Sequence, residues 1–203
     1  MTRHNDYPNH AAEQRQRIAS AAARLIAEDG LTDYVQAKRK AAHSLGLPDN
    51  TRLPENAEVD DELRLYQRLF QNGEHAARIA TLRGKAHDIM VTLQRFNPYL
   101  TGSVLDGTAG RFAEIDIQLF TDSAKDVEIF LLNQRVDYEH STPRSDRAEA
   151  VLTLHDDGVV TNLVVYPTHE ERVVFKTRDG RVRRRMRADA LVKLLATAEP
   201  TPP

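Results

Sequence analysis

YLTGSVLDGTAGRFAEIDIQLFT, residues 99–121, joins two strand-like runs through a glycine-rich loop. The first run ends at Gly102 and Ser103, where small residues let the backbone and a hydroxyl approach a phosphate closely. In the second run polar and apolar residues alternate, as they do in a strand with one buried face. Glu114 and Asp116 therefore lie on the same face of that strand, where their carboxylates can share one hard cation.

This stretch resembles the signature of the polymerase-beta-type nucleotidyltransferase superfamily, through the pattern Gly102-Ser103-x3-Gly107-Thr108-Ala109-x4-Glu114-Ile115-Asp116-Ile117. The resemblance implies that Gly102 and Ser103 hold the phosphates of a nucleoside triphosphate. It also implies that Glu114 and Asp116 bind Mg²⁺ and that a nucleotide monophosphate moves to a hydroxyl acceptor. The sequence departs from the pattern at Glu114, because the family usually has Asp there. Taken alone, the acids also fit a β-hairpin with a solvated outer face.

In that superfamily a later strand carries a third carboxylate, the general base that takes a proton from the attacking hydroxyl. The resemblance aligns this position with Asn162 in the run VVTNLVVYP, residues 159–167. An asparagine side chain cannot accept a proton at neutral pH. Three explanations stay open. Another acid such as Asp137 or Glu139 reaches the site, or bound metal alone lowers the pKa of the hydroxyl, or the chain is a catalytically degenerate nucleotide- or RNA-binding regulatory module.

Further elements of this part of the chain follow from local patterns. Residues 124–134 read as a helix after a capping residue. Residues 148–155 and 159–167 alternate as two strands around the hairpin turn signal Asp156-Asp157-Gly158. A short edge strand at 136–138 is a further possibility.

A second hairpin is predicted nearer the C-terminus, with strands at 172–177 and 181–186 and a closing helix at 188–196. Its returning strand concentrates arginine, and alternate residues of a strand share a face. This pattern predicts either a ribbon that binds triphosphate or RNA backbone or a solvated edge strand protected by charge. The residues concerned are Arg181, Arg183 and Arg185.

Apolar residues recur at helical spacing in four segments before the glycine-rich loop, at 10–29, 32–44, 57–70 and 74–96. The first two segments resemble the start of a TetR-type DNA-binding domain. A loop bracketed by Pro48 and Pro54 stands where that domain has its recognition helix. Duplex DNA is therefore not the expected partner.

These elements predict an α+β protein, in which a helical N-terminal region is followed by a nucleotidyltransferase-like mixed β-sheet domain with covering helices. The predicted divisions are a flexible tail at 1–9, a helical region at 10–96, the nucleotidyltransferase-like domain at 97–197, and a tail at 198–203. The expected partners are a nucleoside triphosphate and a small-molecule or RNA acceptor, with Mg²⁺ as cofactor.

Composition narrows the possible classes of protein. The 203 residues are 40% hydrophobic and 29% charged, which is ordinary for a globular protein. The absence of cysteine excludes disulfides and cysteine-based metal sites. No apolar run approaches the ~20 residues that cross a bilayer, so we expect a cytoplasmic protein without a membrane partner. A net charge of −2 means that any nucleic-acid binding depends on a local basic patch.

Overall fold

The structure, a computed structural model, describes residues 7–31, 33–70, 72–143, 145–176 and 180–198. Within these ranges the chain is mixed α/β, with helices at its N-terminal end, as the sequence predicts. The α-helices are α1 (Tyr7–Asp29), α2 (Tyr34–Ser44), α3 (Asn56–Phe70), α4 (Asn72–Thr92), α5 (Gly102–Asp106), α6 (Ala124–Asn133) and α7 (Ala188–Ala198).

Six strands form one mixed sheet in the order β3-β4-β5-β2-β1-β6. β2 pairs with β5 in parallel, and the remaining neighbours are antiparallel. Short 3₁₀ helices at Gln94–Phe96 and Thr168–Arg172 complete the regular structure of the described ranges. The strands are β1 (Tyr99–Thr101), β2 (Ile115–Phe120), β3 (Glu139–Ser141), β4 (Ala150–Asp156), β5 (Val159–Tyr166) and β6 (Arg185–Met186).

The chain divides into two compact units. The helical unit contains α1, α2, α3 and residues 110–113. The sheet unit contains residues 76–109 and the chain from Glu114 onward. The boundary falls inside α4, after His75, so this helix does not belong wholly to either unit.

Helix packing in the helical unit depends on small side chains. Ala22 and Ala37 are fully buried, as are Ile18, Val59 and Leu63, and alanines let helix axes approach closely. The side chain of Asp33 accepts the N–H of Val35 at 2.7 Å and so caps α2. The predicted second and third helices are confirmed to within two residues at each end.

The first and fourth predicted helices differ from the structure at their ends. α1 begins at Tyr7, so residues 7–9 of the predicted tail are helical, because proline at position 8 is tolerated in a first turn. Residues 1–6 and 199–203 of the predicted tails lie outside the described residues. α4 ends at Thr92, and the predicted continuation to 96 is a separate 3₁₀ turn, closed by Asn97 at φ 48°.

The segment between α2 and α3, residues 45–55, contains no helix. A helix-turn-helix domain would have its recognition helix in this position. This position is occupied by a loop in the structure.

The first predicted hairpin is confirmed. Asp156 pairs with Val159 across a turn at Asp157 and Gly158, and both have positive φ, as a two-residue hairpin turn requires. The edge strand considered at 136–138 lies three residues later, as β3.

The second predicted hairpin is wrong for most of its length. A 3₁₀ helix continues to Arg172, and a single bridge, Lys176 to Val182, joins the two segments within the described residues. The end of the arginine-rich segment instead forms β6, which pairs with β1. The open edge of β1 offers hydrogen-bonding groups that alternation along the sequence does not reveal. The predicted turn residues 178 and 179 lie outside the described residues.

No helix within the described ranges combines the length and the apolar character that crossing a membrane requires.

Candidate active site

The two predicted acids meet at the beginning of β2. Asp116 is the second residue of this strand, and Glu114 is the residue directly before the strand begins. Asn162 is paired in register with Asp116 on the neighbouring parallel strand. Its Nδ2 lies 2.6 Å from Glu114 Oε2 and 3.4 Å from Asp116 Oδ1. One amide group thus donates to both carboxylates of Glu114 and Asp116, which we call the acid pair.

Gly102 brings the turn between β1 and α5 against the acid pair. Its φ is +77°, in the left-handed region that favours glycine. A Cβ at this position would lie 2.7 Å from Asp116 Oδ2, which is too close for two non-bonded atoms. Gly102 therefore satisfies both the turn geometry and the space that the Asp116 carboxylate occupies.

Ser103 follows in α5 and is half-buried. Its carbonyl accepts the N–H of Thr108 at 2.9 Å, which closes the short helix and begins the glycine-rich loop. The structure thus brings together Gly102, the acid pair and Asn162, and Ser103 follows Gly102 as the second residue of α5. Their roles in binding phosphate and metal stay predictions.

Arg83 on α4 holds α5 from its C-terminal end. Its Nε donates to the carbonyl of Val104 at 3.1 Å and its Nη2 to the carbonyl of Leu105 at 2.8 Å. Burial lowers the pKa of Arg83, and the nearby Arg184 lowers it further, but guanidinium remains charged at neutral pH. Two charged hydrogen bonds to carbonyls near the C-terminal end of α5 fix the position of the helix that begins at Gly102.

Replacing Arg83 with Met is expected to destabilise the sheet unit by about 2–3 kcal/mol, because two half-buried carbonyls lose a charged donor. Arg83→Lys keeps the charge but cannot form the planar two-point contact, so its loss should be smaller. Urea unfolding followed by circular dichroism measures both values. Equal stability of the Met variant and the wild type would contradict the proposed role in fixing α5.

Polar side chains follow one line across five strands of the sheet. Directly opposed residues of neighbouring strands share a face, so their side chains form a single polar row around the acid pair. Thr101 contributes a hydroxyl that donates to the carbonyl of Arg184 at 2.8 Å. From β4 to β6 the row contains Thr153, Asn162, Asp116, Thr101 and Arg185.

Two hydroxyl groups continue this network behind Asn162. Thr153 Oγ1 lies 3.1 Å from Asn162 Oδ1 and donates to it. Ser141 Oγ lies 2.9 Å from Thr153 Oγ1, and either oxygen can be the donor. We call Ser141 and Thr153 the hydroxyl pair. In this arrangement Oδ1 of Asn162 accepts from Thr153 while Nδ2 faces the acids.

Arg185, the last arginine of the predicted ribbon, is held by protein groups instead of being presented as part of an open strand face. Its guanidinium carbon lies 4.7 Å from the ring centre of Tyr99 and 5.5 Å from that of Phe120, and Nη2 donates to the carbonyl of Glu171. Its neighbour Arg184 forms an ion pair with Asp106 at 3.4 Å. Phosphate binding by Arg185 would have to compete with its contacts to Tyr99, Phe120 and the carbonyl of Glu171.

Arg181 and Arg183 are exposed. The main-chain N–H of Arg183 donates to the carbonyl of Phe175 at 2.8 Å, so this segment follows residue 175 without forming a regular strand. A role for Arg181 and Arg183 in phosphate or RNA binding stays a prediction.

The alternative acids considered for the third carboxylate lie on or just before β3, an edge strand of the sheet. β4 and β5 separate β3 from β2, and three spacings of about 4.8 Å place the two backbones about 14 Å apart. Glu139 on β3 instead lies near His155, with 3.8 Å between Oε2 and Nε2. Asp137 precedes β3 and is exposed. Glu139 is therefore too distant to take a proton beside Asp116.

Sequence reasoning missed Arg83 and the hydroxyl pair. A sequence signal for Thr153 existed, because a two-residue turn at Asp157 and Gly158 places it opposite Asn162. Arg83 and Ser141 have no such signal, since their partners depend on how α4 and β3 pack.

The acid pair is the part of this site that could hold a hard cation such as Mg²⁺. The acid pair offers carboxylate oxygens, a ligand type that Mg²⁺ prefers, and Oδ1 of Asn162 is of a suitable type but faces Thr153 in the structure. Nδ2 of Asn162 already directs partial positive charge between the two carboxylates. Within the ranges that the structure describes, no three His, Asp or Glu side chains are grouped as a metal site, so Asn162 would supply the third protein ligand.

Comparison of the chain with family models, with curated proteins and with solved structures found no match.

Proposed function

We propose that this protein is a Mg²⁺-dependent nucleotidyltransferase that moves a nucleotide monophosphate from a nucleoside triphosphate to a hydroxyl acceptor. The observation that carries the proposal is the meeting of Gly102, Glu114 and Asp116 at the beginning of β2. These residues are far apart in the pattern that resembles the superfamily, and they are adjacent in the fold. A glycine lets the main chain approach a phosphate closely, and two adjacent carboxylates can bind the cation that accompanies the phosphate.

In the proposed reaction the acceptor oxygen forms a bond to the α-phosphorus, and the bond from that phosphorus to the β-phosphate oxygen breaks. Pyrophosphate leaves with the electron pair of the broken bond. Bound Mg²⁺ would neutralise charge on the phosphate oxygens. Asn162 orients the acids but takes no proton, so the proton of the acceptor hydroxyl passes to solvent.

A second candidate function is nucleotide binding without transfer, and one observation favours it. Asn162 occupies the position where the resemblance to the superfamily implies a general base, and its amide group donates hydrogen bonds to the acid pair. General-base catalysis is typically worth ~10²–10⁴-fold, so a chain without it is slow or inactive. This candidate predicts nucleotide binding with no release of pyrophosphate.

Thermal unfolding with each of the four ribonucleoside triphosphates, with and without Mg²⁺, tests both candidates. A ligand at 100 times its Kd stabilises the folded state by ~2.7 kcal/mol, a rise in Tm of roughly 5–11 °C for a chain of this length. We expect one nucleotide to give this rise only with Mg²⁺ and only with Asp116 intact. Asp116→Asn is the test variant, and Asp122→Asn, which removes an exposed acid just beyond β2, is its matched control.

A pyrophosphate-release assay with the stabilising nucleotide then separates the candidates. Release that stops in Asp116→Asn and continues in Asp122→Asn supports transfer, whereas stabilisation without release supports the binding module. If no nucleotide raises the Tm of the wild type, both candidates are wrong.

A further inference from the structure

We infer that Asn162 is a reversible amide that presents Nδ2 to the acid pair when the site holds no cation and Oδ1 when it does, with the hydroxyl pair reversing its hydrogen bonds to follow. This inference rests on the proposed function in one respect, that the acid pair binds a cation. It adds a role for Thr153 and Ser141 as positioning residues.

In the structure the amide nitrogen of Asn162 faces the acid pair. Nδ2 donates to both acids, and Oδ1 accepts from Thr153. Each end of the amide therefore has a partner of the right kind. In this orientation the amide hydrogens neutralise the repulsion between Glu114 and Asp116.

The same orientation opposes a cation, because an N–H₂ group directs partial positive charge at the place where the cation binds. A half-turn of the amide about its terminal bond exchanges Oδ1 and Nδ2 with little change of shape. Asn162 then offers an oxygen to the cation. Its N–H₂ group faces Thr153, which has to accept a hydrogen bond where it formerly donated one.

A hydroxyl group can make this change, because it carries one donor and two acceptor lone pairs. Thr153 is 7% exposed, so its hydroxyl hydrogen needs a protein acceptor after the turn. Ser141 Oγ, 2.9 Å away, supplies that acceptor. The two hydrogen bonds that join Asn162, Thr153 and Ser141 are kept and reversed, whereas the two from Nδ2 to the acids give way to contacts of Oδ1 and the carboxylates with the cation. No proton leaves its oxygen or nitrogen.

Nuclear magnetic resonance of the full-length chain, with Mg²⁺ as the probe, observes the turn directly. In the metal-free protein the nuclear Overhauser effect between the side-chain amide hydrogens of Asn162 and the side chain of Thr153 should be weak, because Oδ1 and not Nδ2 faces Thr153. After Mg²⁺ saturation, which calorimetry establishes separately, this effect should strengthen. Mg²⁺ binding with an unchanged amide would overturn the inference and leave the proposed function intact. Absence of Mg²⁺ binding would overturn both.

A double-mutant cycle gives a second measure. Ser141→Ala removes the acceptor that only the turned state needs, so we expect Mg²⁺ affinity to fall roughly two- to tenfold, the value of one neutral hydrogen bond. In Asn162→Asp, Thr153 donates to a carboxylate oxygen with or without metal, so the same change at Ser141 should leave affinity unaltered. Equal losses in the two backgrounds would show that Ser141 acts only on structure and would contradict the inference.

Discussion

Replacing Asn162 with Asp is expected to make the stability of the protein depend on a divalent cation. The substitution removes the amide hydrogens that both acids accept and adds a third negative charge beside them. Carboxylates at hydrogen-bonding distance from one another repel each other even at the protein surface. We expect the metal-free variant to lose roughly 1–3 kcal/mol of unfolding free energy, which lowers Tm by about 2–12 °C.

Mg²⁺ should reverse the sign of this effect, because three carboxylates bind a hard cation better than two carboxylates and an amide. We expect Mg²⁺ affinity to rise at least about tenfold in Asn162→Asp. If the protein transfers nucleotides, the new base should also raise turnover by ~10²–10⁴-fold. Thermal unfolding across a Mg²⁺ titration and pyrophosphate release measure the two effects.

The matched control for this variant is Asn50→Asp, which adds the same charge in an exposed turn of the helical unit. Its Tm should show the Mg²⁺ dependence of the wild type. If Asn162→Asp also showed wild-type Mg²⁺ dependence, the acid pair would not be a cation site.

Replacing Gly102 with Ala is expected to abolish cation binding while leaving the protein folded. The new Cβ would meet Asp116 Oδ2 at 2.7 Å, so the carboxylate has to move away from its place in the acid pair. A non-glycine residue at positive φ also costs roughly 1–2 kcal/mol. We expect Mg²⁺ affinity to fall at least about tenfold, because one of the two carboxylates is displaced.

Gly158→Ala is the control that separates the cost of positive φ from the effect of the contact with Asp116. Gly158 has φ +73°, close to the value at Gly102, but a Cβ there would meet nothing within 4 Å. Both variants should therefore lose similar stability in urea unfolding, and only Gly102→Ala should lose Mg²⁺ binding by calorimetry. Loss of binding in both variants, or in neither, would contradict the role assigned to the contact with Asp116.

Local patterns predicted the parts of the site that depend on short stretches of chain. Alternation along β2 placed Glu114 and Asp116 on one face, and the turn at Asp157 and Gly158 defined the hairpin that contains Asn162. The parallel pairing that puts Asn162 beside Asp116 is different in kind, because it joins residues 46 positions apart. The resemblance to a known pattern, and not periodicity, indicated that these residues meet.

Prediction failed where side chains from distant segments compete for the same groups. Alternation alone grouped Arg185 with Arg181 and Arg183 on one open face. In the structure the guanidinium of Arg185 packs on the rings of Tyr99 and Phe120, because a planar, weakly hydrated cation is stabilised on aromatic faces. Neither ring lies near Arg185 in sequence, so no local pattern contains this contact.

The pairing of Asp116 with Asn162 also has a consequence for protein synthesis. Thr153 and Asn162 are only nine positions apart and can meet as soon as their hairpin leaves the ribosome. Asp116 is made 46 residues before Asn162, which at roughly 5–20 residues per second is an interval of roughly 2–9 s. The hydroxyl pair and Asn162 can therefore be assembled before they dock on β2, and the parallel pair closes onto a preformed hairpin.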